Sequence, residues 1–132
     1  GTITLLSSQY SKQSIGVELN TKAIKDATIN KRLNRADNVQ FFEADATEFL
    51  SKTESAIDVL ILDPPRDGST KEFLDNVKRL GPKRVLYISC NPETLSRDIE
   101  LIRDEYKVVT HVMVDQFPFT EHMESICLLS KN

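Results

Sequence analysis

"IDVLILDPPRDGS", residues 57–69, is the stretch on which the reading of the chain turns. Ile57 to Asp63 is a nearly continuous apolar run, the pattern of a strand buried on both faces of a parallel sheet. An acid, two prolines and a glycine then break it and turn the chain. The period changes in "STKEFLDNVKRLG", which follows. Phe73, Leu74, Val77 and Leu80 fall at i, i+1, i+4 and i+7, the stripe of an amphipathic helix, and Gly81 is placed to end it. "KRVLYIS" (83–89) is again a strand.

The alternation extends in both directions. "SIGVEL" (14–19) is a short β-branched run, and Asn20 can cap a helix over most of 21–34 with Ala23, Ile24 and Ala27 on one face. "NVQFFEA" (38–44) reads as a strand, and the spacing of Asp45 and Glu48 after it fits a capping box. Leu95, Ile99 and Ile102 mark a helix beyond Cys90. "YKVVTHVMVDQF" and "HMESICLLS" have no helix between them and read as a closing antiparallel pair. "GTITLLSS" (1–8) reads as the exit from a Gly-rich turn into a helix, with no strand ahead of it. Strand and helix in alternation imply a doubly wound α/β sheet, in which ligands bind beyond the carboxyl ends of the strands. The strands end at Glu18, at Ala44-Asp45, at Asp63-Pro-Pro-Arg66 and at Cys90-Asn-Pro, so acids and one thiol gather along one rim.

Composition narrows the function classes. The chain has 132 residues, 39% hydrophobic and 28% charged, enough for one soluble domain with a real core. The net charge of −3 lacks the basic bias of a stand-alone nucleic-acid binder, so contact with RNA would need local charge or another segment. No apolar run approaches the roughly 18 residues that cross a membrane, and the first residues lack the basic leader of a signal peptide. Two cysteines are too few for a disulfide scaffold, which points to a reducing, cytoplasmic setting.

Cys90 is the first candidate for chemistry. Pro92 suits the first turn of a helix and Asn91 can cap it. Cys90 then sits at the positive end of a helix dipole, which favours the thiolate. A buried structural cysteine fits the same position, so position alone leaves both readings open. Cys127, inside "SICLL", reads as core. Asp63 is either a turn-capping carboxylate or a rigid acceptor aimed at a ligand. A strand ending in Asp-Pro-Pro resembles enzymes that methylate exocyclic amines, but Arg66 stands where those carry an aromatic residue. Glu18 is either an acid favoured by the dipole of the next helix or an acceptor for ribose hydroxyls, and its place at the strand end favours ribose. Asp45 can cap its helix and also meet an adenine amine. Glu124, beside Met123 and near His122 on a mostly apolar strand, fits either an outward-facing residue or a base. His111 reads as structural or exposed, and the basic residues between Lys22 and Arg35 read as a solvated helix face.

Together "GTITL", "GVELNTKAIKDATIN", "DPPRDG", "YISCNPETLSRDIELI" and "DQFPFTEHMES" resemble one family across the whole chain. It is the S-adenosylmethionine-dependent RNA uracil-5-methyltransferases, which form 5-methyluridine in tRNA and rRNA. The last three motifs, in this order and spacing, are the specific ones. The resemblance implies a Rossmann-like class I methyltransferase fold, mostly parallel with an antiparallel last strand. It implies that Cys90 is a nucleophile adding to carbon 6 of uracil and Glu124 the base that removes the proton from carbon 5. Thr2, Glu18, Asp45 and Asp63 match positions that contact S-adenosyl-L-methionine. Arg66, Asn91 and Arg97 are candidate substrate or phosphate contacts. RNA is the implied partner, with neither metal nor membrane. "DQFPFTEHME" leans towards tRNA enzymes acting on the T-loop uridine over rRNA enzymes.

The family's first strand, most of its Gly-rich loop, an upstream Gln motif and the N-terminal RNA-binding part have no counterpart in these residues. The expectation is one catalytic domain over 1–132 that lacks its first strand, leaves neighbouring strands without a shared partner, and by itself binds cofactor poorly and is inactive. Two other readings stand beside it. A cytosine-5-methyltransferase also uses a cysteine, though the DNA type places Pro before it and has no simple place for Glu124. A methyltransferase-fold fragment without catalysis would bind RNA or protein.

Overall fold

A computed structural model describes every residue of the chain except Phe117, Glu121 and His122; His122, singled out beside Glu124, thus lies outside the described residues. The chain divides into two compact units, Gly1–Lys52 and Thr53–Asn132.

The first unit runs α1 (Thr2–Ser8), β1 (Ser14–Glu18), α2 (Thr21–Leu33), β2 (Val39–Glu43) and α3 (Ala46–Lys52). β1 and β2 pair in parallel from Ser14↔Val39 to Glu18↔Glu43, with α2 as the crossover that parallel strands require. Asn20 caps α2 as expected, its Oδ1 accepting from the N–H groups of Lys22 and Ala23 at 2.9 and 3.1 Å. Half of the expected capping box forms on α3. Asp45 Oδ1 accepts from the Glu48 N–H at 2.9 Å, while the Glu48 carboxylate turns to Lys52 one turn on. Ala27, Val39 and Leu50 are buried in this unit.

The second unit runs β3 (Val59–Leu62), α4 (Lys71–Leu80), β4 (Arg84–Ser89), α5 (Pro92–Ile102), β5 (Tyr106–Val114) and β6 (Glu124–Lys131). Its sheet has the order β3-β4-β6-β5. β3 and β4 are parallel, and β6 is antiparallel to both of its neighbours. α4 begins at Thr70, whose Oγ1 accepts from the Phe73 N–H at 3.1 Å, and ends at Gly81, which adopts the left-handed conformation (φ 57°). Leu62, Leu74, Val77, Val85, Tyr87, Leu95, Ile102 and Leu129 are buried and form the core. Each large aliphatic side chain so buried contributes about 2 kcal/mol.

The strands form a two-stranded and a four-stranded sheet. One expectation is corrected: β3 is less buried than its apolar run suggested. Val59 is 53% exposed and only Leu62 is buried, because β3 is an edge strand of its sheet and lacks a neighbour on one side. Among the described residues, no helix is long and apolar enough to cross a membrane.

Candidate active site

The register of β4 against β6 brings two of the sequence candidates together. The ladder runs from Arg84↔Ser130 to Ser89↔Ser125. Cys90 follows Ser89, and Glu124 precedes Ser125, so the two occupy facing positions one step past the last β4–β6 pair. Both are half-buried. β3 ends at the same rim, since Leu62 pairs with Tyr87 and Asp63 comes next. A thiol, a carboxylate from the antiparallel strand and a carboxylate from the edge strand therefore share the end of one sheet.

Local hydrogen bonds hold Cys90 in a turn. The Ser89 hydroxyl donates to the Asn91 carbonyl at 2.9 Å and accepts from the Asn91 N–H at 3.0 Å, closing a clasp around the cysteine. Asn91 caps α5 as expected, its Oδ1 accepting from the Glu93 N–H at 3.0 Å, with Pro92 in the first turn. Cys90 thus stands directly before a capped helix N-terminus. Cys127 is 2% exposed on β6, and burial pushes its thiol up, the pattern of an inert core cysteine.

The Asp63-Pro-Pro-Arg66 segment lies against α5. The Arg66 carbonyl accepts from Asn91 Nδ2 at 3.2 Å and from Thr94 Oγ1 at 3.0 Å. The Arg66 side chain is exposed. Desolvation at the end of β3 raises the Asp63 carboxyl above its ordinary value. Arg97 has a structural occupation. Its Nε and Nη2 donate to Asp98 Oδ1 at 2.9 and 2.7 Å, and Nη2 also reaches the carbonyls of Asp67 and Ser69 at 2.9 and 3.2 Å. Asp98 and Tyr87, which share this network, were not picked out in the sequence. The available signal was that Asp98 falls three residues after Leu95 and four before Ile102, on the buried stripe of α5.

In the first unit, Glu18 and Asp45 stand at and just beyond the carboxyl ends of two adjacent parallel strands. The Ala44 N–H donates to the Glu18 carbonyl at 3.1 Å, continuing the pairing to that point. Each carboxylate spends one oxygen locally: Glu18 Oε1 accepts from the Asn20 N–H at 2.8 Å, and Asp45 Oδ1 caps α3. A carboxylate has a second oxygen to offer a ligand. Thr2 opens α1 and is exposed. Among the described residues, no group of three or more His, Cys, Asp and Glu side chains is gathered as a metal site would require.

Comparison with known proteins shows the family of the chain. The family model described as tRNA (uracil-5-)-methyltransferase matches residues 1–132. The chain belongs to the tRNA (uracil-5-)-methyltransferase family. An uncharacterized RNA methyltransferase of Bacteroides thetaiotaomicron is 38% identical over 98% of the chain and 29% of its own length. One from Halalkalibacterium halodurans is 41% identical, again over 98% of the chain and 29% of its own length. The crystal structure of Pyrococcus abyssi tRNA (uracil-54, C5)-methyltransferase in complex with S-adenosyl-L-homocysteine superposes with a TM-score of 0.87 and 31% identity, over 98% of this chain and 31% of that one. The fold is therefore that of the methyltransferases, as the motifs implied. The chain spans under a third of the length of these relatives.

Proposed function

We propose that this chain carries the catalytic part of an enzyme that methylates carbon 5 of a uridine in RNA through a covalent cysteine–uracil adduct. The observation that carries the reading is the facing placement of Cys90 and Glu124 at the end of β4 and the start of β6. Carbon 5 of uracil is a poor nucleophile. Addition of the Cys90 thiolate to carbon 6 breaks the 5,6 double bond and moves its electron pair to carbon 5. After carbon 5 has gained its methyl group, the Glu124 carboxylate takes the remaining carbon-5 proton. The electron pair of that C–H bond restores the double bond, the carbon–sulfur bond breaks, and Cys90 leaves as thiolate. A nucleophile and a base at one rim meet this requirement.

The donor set suits S-adenosyl-L-methionine as cofactor. Glu18 and Asp45 are carboxylate acceptors at the ends of adjacent parallel strands, fitted to ribose hydroxyls and an adenine amine. They would hold the cofactor with Thr2 of the same unit. When bound, it supplies an electrophilic methyl group. Arg66 and Asn91 stand beside the Cys90 turn as candidate substrate contacts. The Pyrococcus relative acts on a tRNA uracil, which favours tRNA over rRNA as the substrate class and an intracellular, reducing place of work.

Trapping tests the proposal. RNA carrying 5-fluorouridine has no carbon-5 proton to lose, so a full-length parent protein with S-adenosylmethionine is expected to form an adduct that survives denaturing electrophoresis. Cys90→Ala is expected to form none. An adduct that persists in Cys90→Ala, or one that forms on fluorocytidine RNA alone, would overturn the reading.

A further inference from the structure

Asp98 takes no part in the chemistry above, yet it is 0% exposed, and no other charged side chain among the described residues is buried. Four donors converge on it. The Ser69 N–H and the Tyr87 O–H meet Oδ2 at 2.6 and 2.5 Å, and Arg97 Nε and Nη2 meet Oδ1 at 2.9 and 2.7 Å. Donors with no acceptor among them form the environment an ionised carboxylate accepts.

These donors come from three different segments. Ser69 belongs to the loop that begins at Asp63 and carries Arg66. Tyr87 lies on β4, three residues before Cys90. Arg97 lies on α5, the helix that leaves the Cys90 turn. The loop is tied to α5 almost residue by residue: the Arg66 carbonyl to Asn91 and Thr94, the carbonyls of Asp67 and Ser69 to Arg97, and the Ser69 N–H to Asp98 itself. Gly68 permits this approach. It has φ 77°, and a Cβ there would stand 2.7 Å from Asp98 Oδ2 and 2.7 Å from Arg97 Nη2.

Stability alone is a weak reason for such a carboxylate, because apolar packing of similar volume would hold α5 at least as well as a buried ion pair. An apolar side chain could not bind three backbone segments in one fixed geometry. We propose that Asp98 is a positioning residue: by tying the Arg66–Ser69 loop, β4 and α5 to one carboxylate, it holds Arg66 where it can contact the substrate and Cys90 in the orientation needed to attack the uracil ring. This role rests on the uridine reading above.

The test uses the full-length parent with S-adenosylmethionine and 5-fluorouridine RNA, in single-turnover measurements well below each variant's unfolding midpoint. Asp98→Asn keeps the shape but sets an amide N–H against donors. Gly68→Ala forces the loop away without changing any charge. Both are expected to slow adduct formation at saturating RNA by about tenfold to a hundredfold, the cost of displacing reacting groups by an ångström or so. The RNA concentration giving half the maximal rate is expected to stay at the wild-type value. If Asp98→Asn does not fold, Tyr87→Phe, which deletes one of the four bonds and fills the same space, is judged by the same criterion. Lowered thermal stability with a wild-type adduct rate, or a change confined to the half-saturating RNA concentration, would overturn the positioning role alone. A wild-type protein that forms no adduct would overturn the uridine reading, and this role with it.

Discussion

Asn91 and Arg66 are joined by a hydrogen bond from Asn91 Nδ2 to the Arg66 carbonyl at 3.2 Å, while the other end of the same amide caps α5 through the Glu93 N–H at 3.0 Å. One side chain therefore both starts the helix after Cys90 and holds the loop after β3. The two jobs can be separated. Asn91→Asp keeps an acceptor for the cap but has no N–H for the Arg66 carbonyl, whereas Asn91→Ala loses both. Asn91→Ala is expected to cost about 1–2 kcal/mol in urea unfolding, and Asn91→Asp to retain the cap's share of that. Both are expected to slow adduct formation. Equal stability of the two variants would show that the cap contributes nothing.

The two cysteines differ in access to solvent and reagent. Cys127 is 2% exposed, and burial raises its thiol, so little thiolate is present at neutral pH. Cys90 is half-buried at the sheet rim. Brief treatment with iodoacetamide, mapped by mass spectrometry, is expected to modify Cys90 in the native protein and Cys127 only after denaturant is added. Labelling of Cys127 at the rate of Cys90 without denaturant would contradict the packing of β6.

Much of this arrangement is legible in the amino-acid order, and the limits have physical causes. Element types follow from period changes and from local caps, because Asn20, Gly81 and Asn91 act on backbone groups within a turn of themselves. The burial of β3 was overestimated because an apolar run does not say whether a strand has one neighbour or two. The apolar stripe of α5 does not reveal Asp98, because an acid does not register in a pattern of apolar residues although it occupies the stripe. The facing of Cys90 and Glu124 depends on the β4–β6 register, a long-range pairing that no local pattern encodes.

Asp63 gives a pH signature. Desolvation raises its folded-state carboxyl from the ordinary 3.8, so the folded chain holds this proton more tightly than the unfolded chain does. Stability from this group is then complete below the unfolded value and is lost as pH rises through the raised folded value. Urea unfolding at a series of pH values is expected to show the wild-type chain losing stability relative to Asp63→Asn as pH rises from below 3.8, with the difference level once the carboxyl is ionised in both states. A difference that moves the other way would place the carboxylate in a stabilising contact instead.

Glu124 separates the two halves of the proposed reaction. Addition of Cys90 to carbon 6 does not need a base on carbon 5, but release of Cys90 does, because the electron pair that expels sulfur comes from the carbon-5 C–H bond. Glu124→Gln retains the size and register of the side chain on β6 but cannot take a proton. With ordinary uridine RNA and S-adenosylmethionine, the Glu124→Gln parent protein is therefore expected to accumulate a covalent protein–RNA species visible on a denaturing gel. Its turnover is expected to fall by on the order of 10²–10⁴. The species is expected to vanish in the Cys90→Ala, Glu124→Gln double variant, since no carbon–sulfur bond can form. Normal turnover in Glu124→Gln would remove Glu124 from the base role and leave its facing of Cys90 a matter of strand register alone.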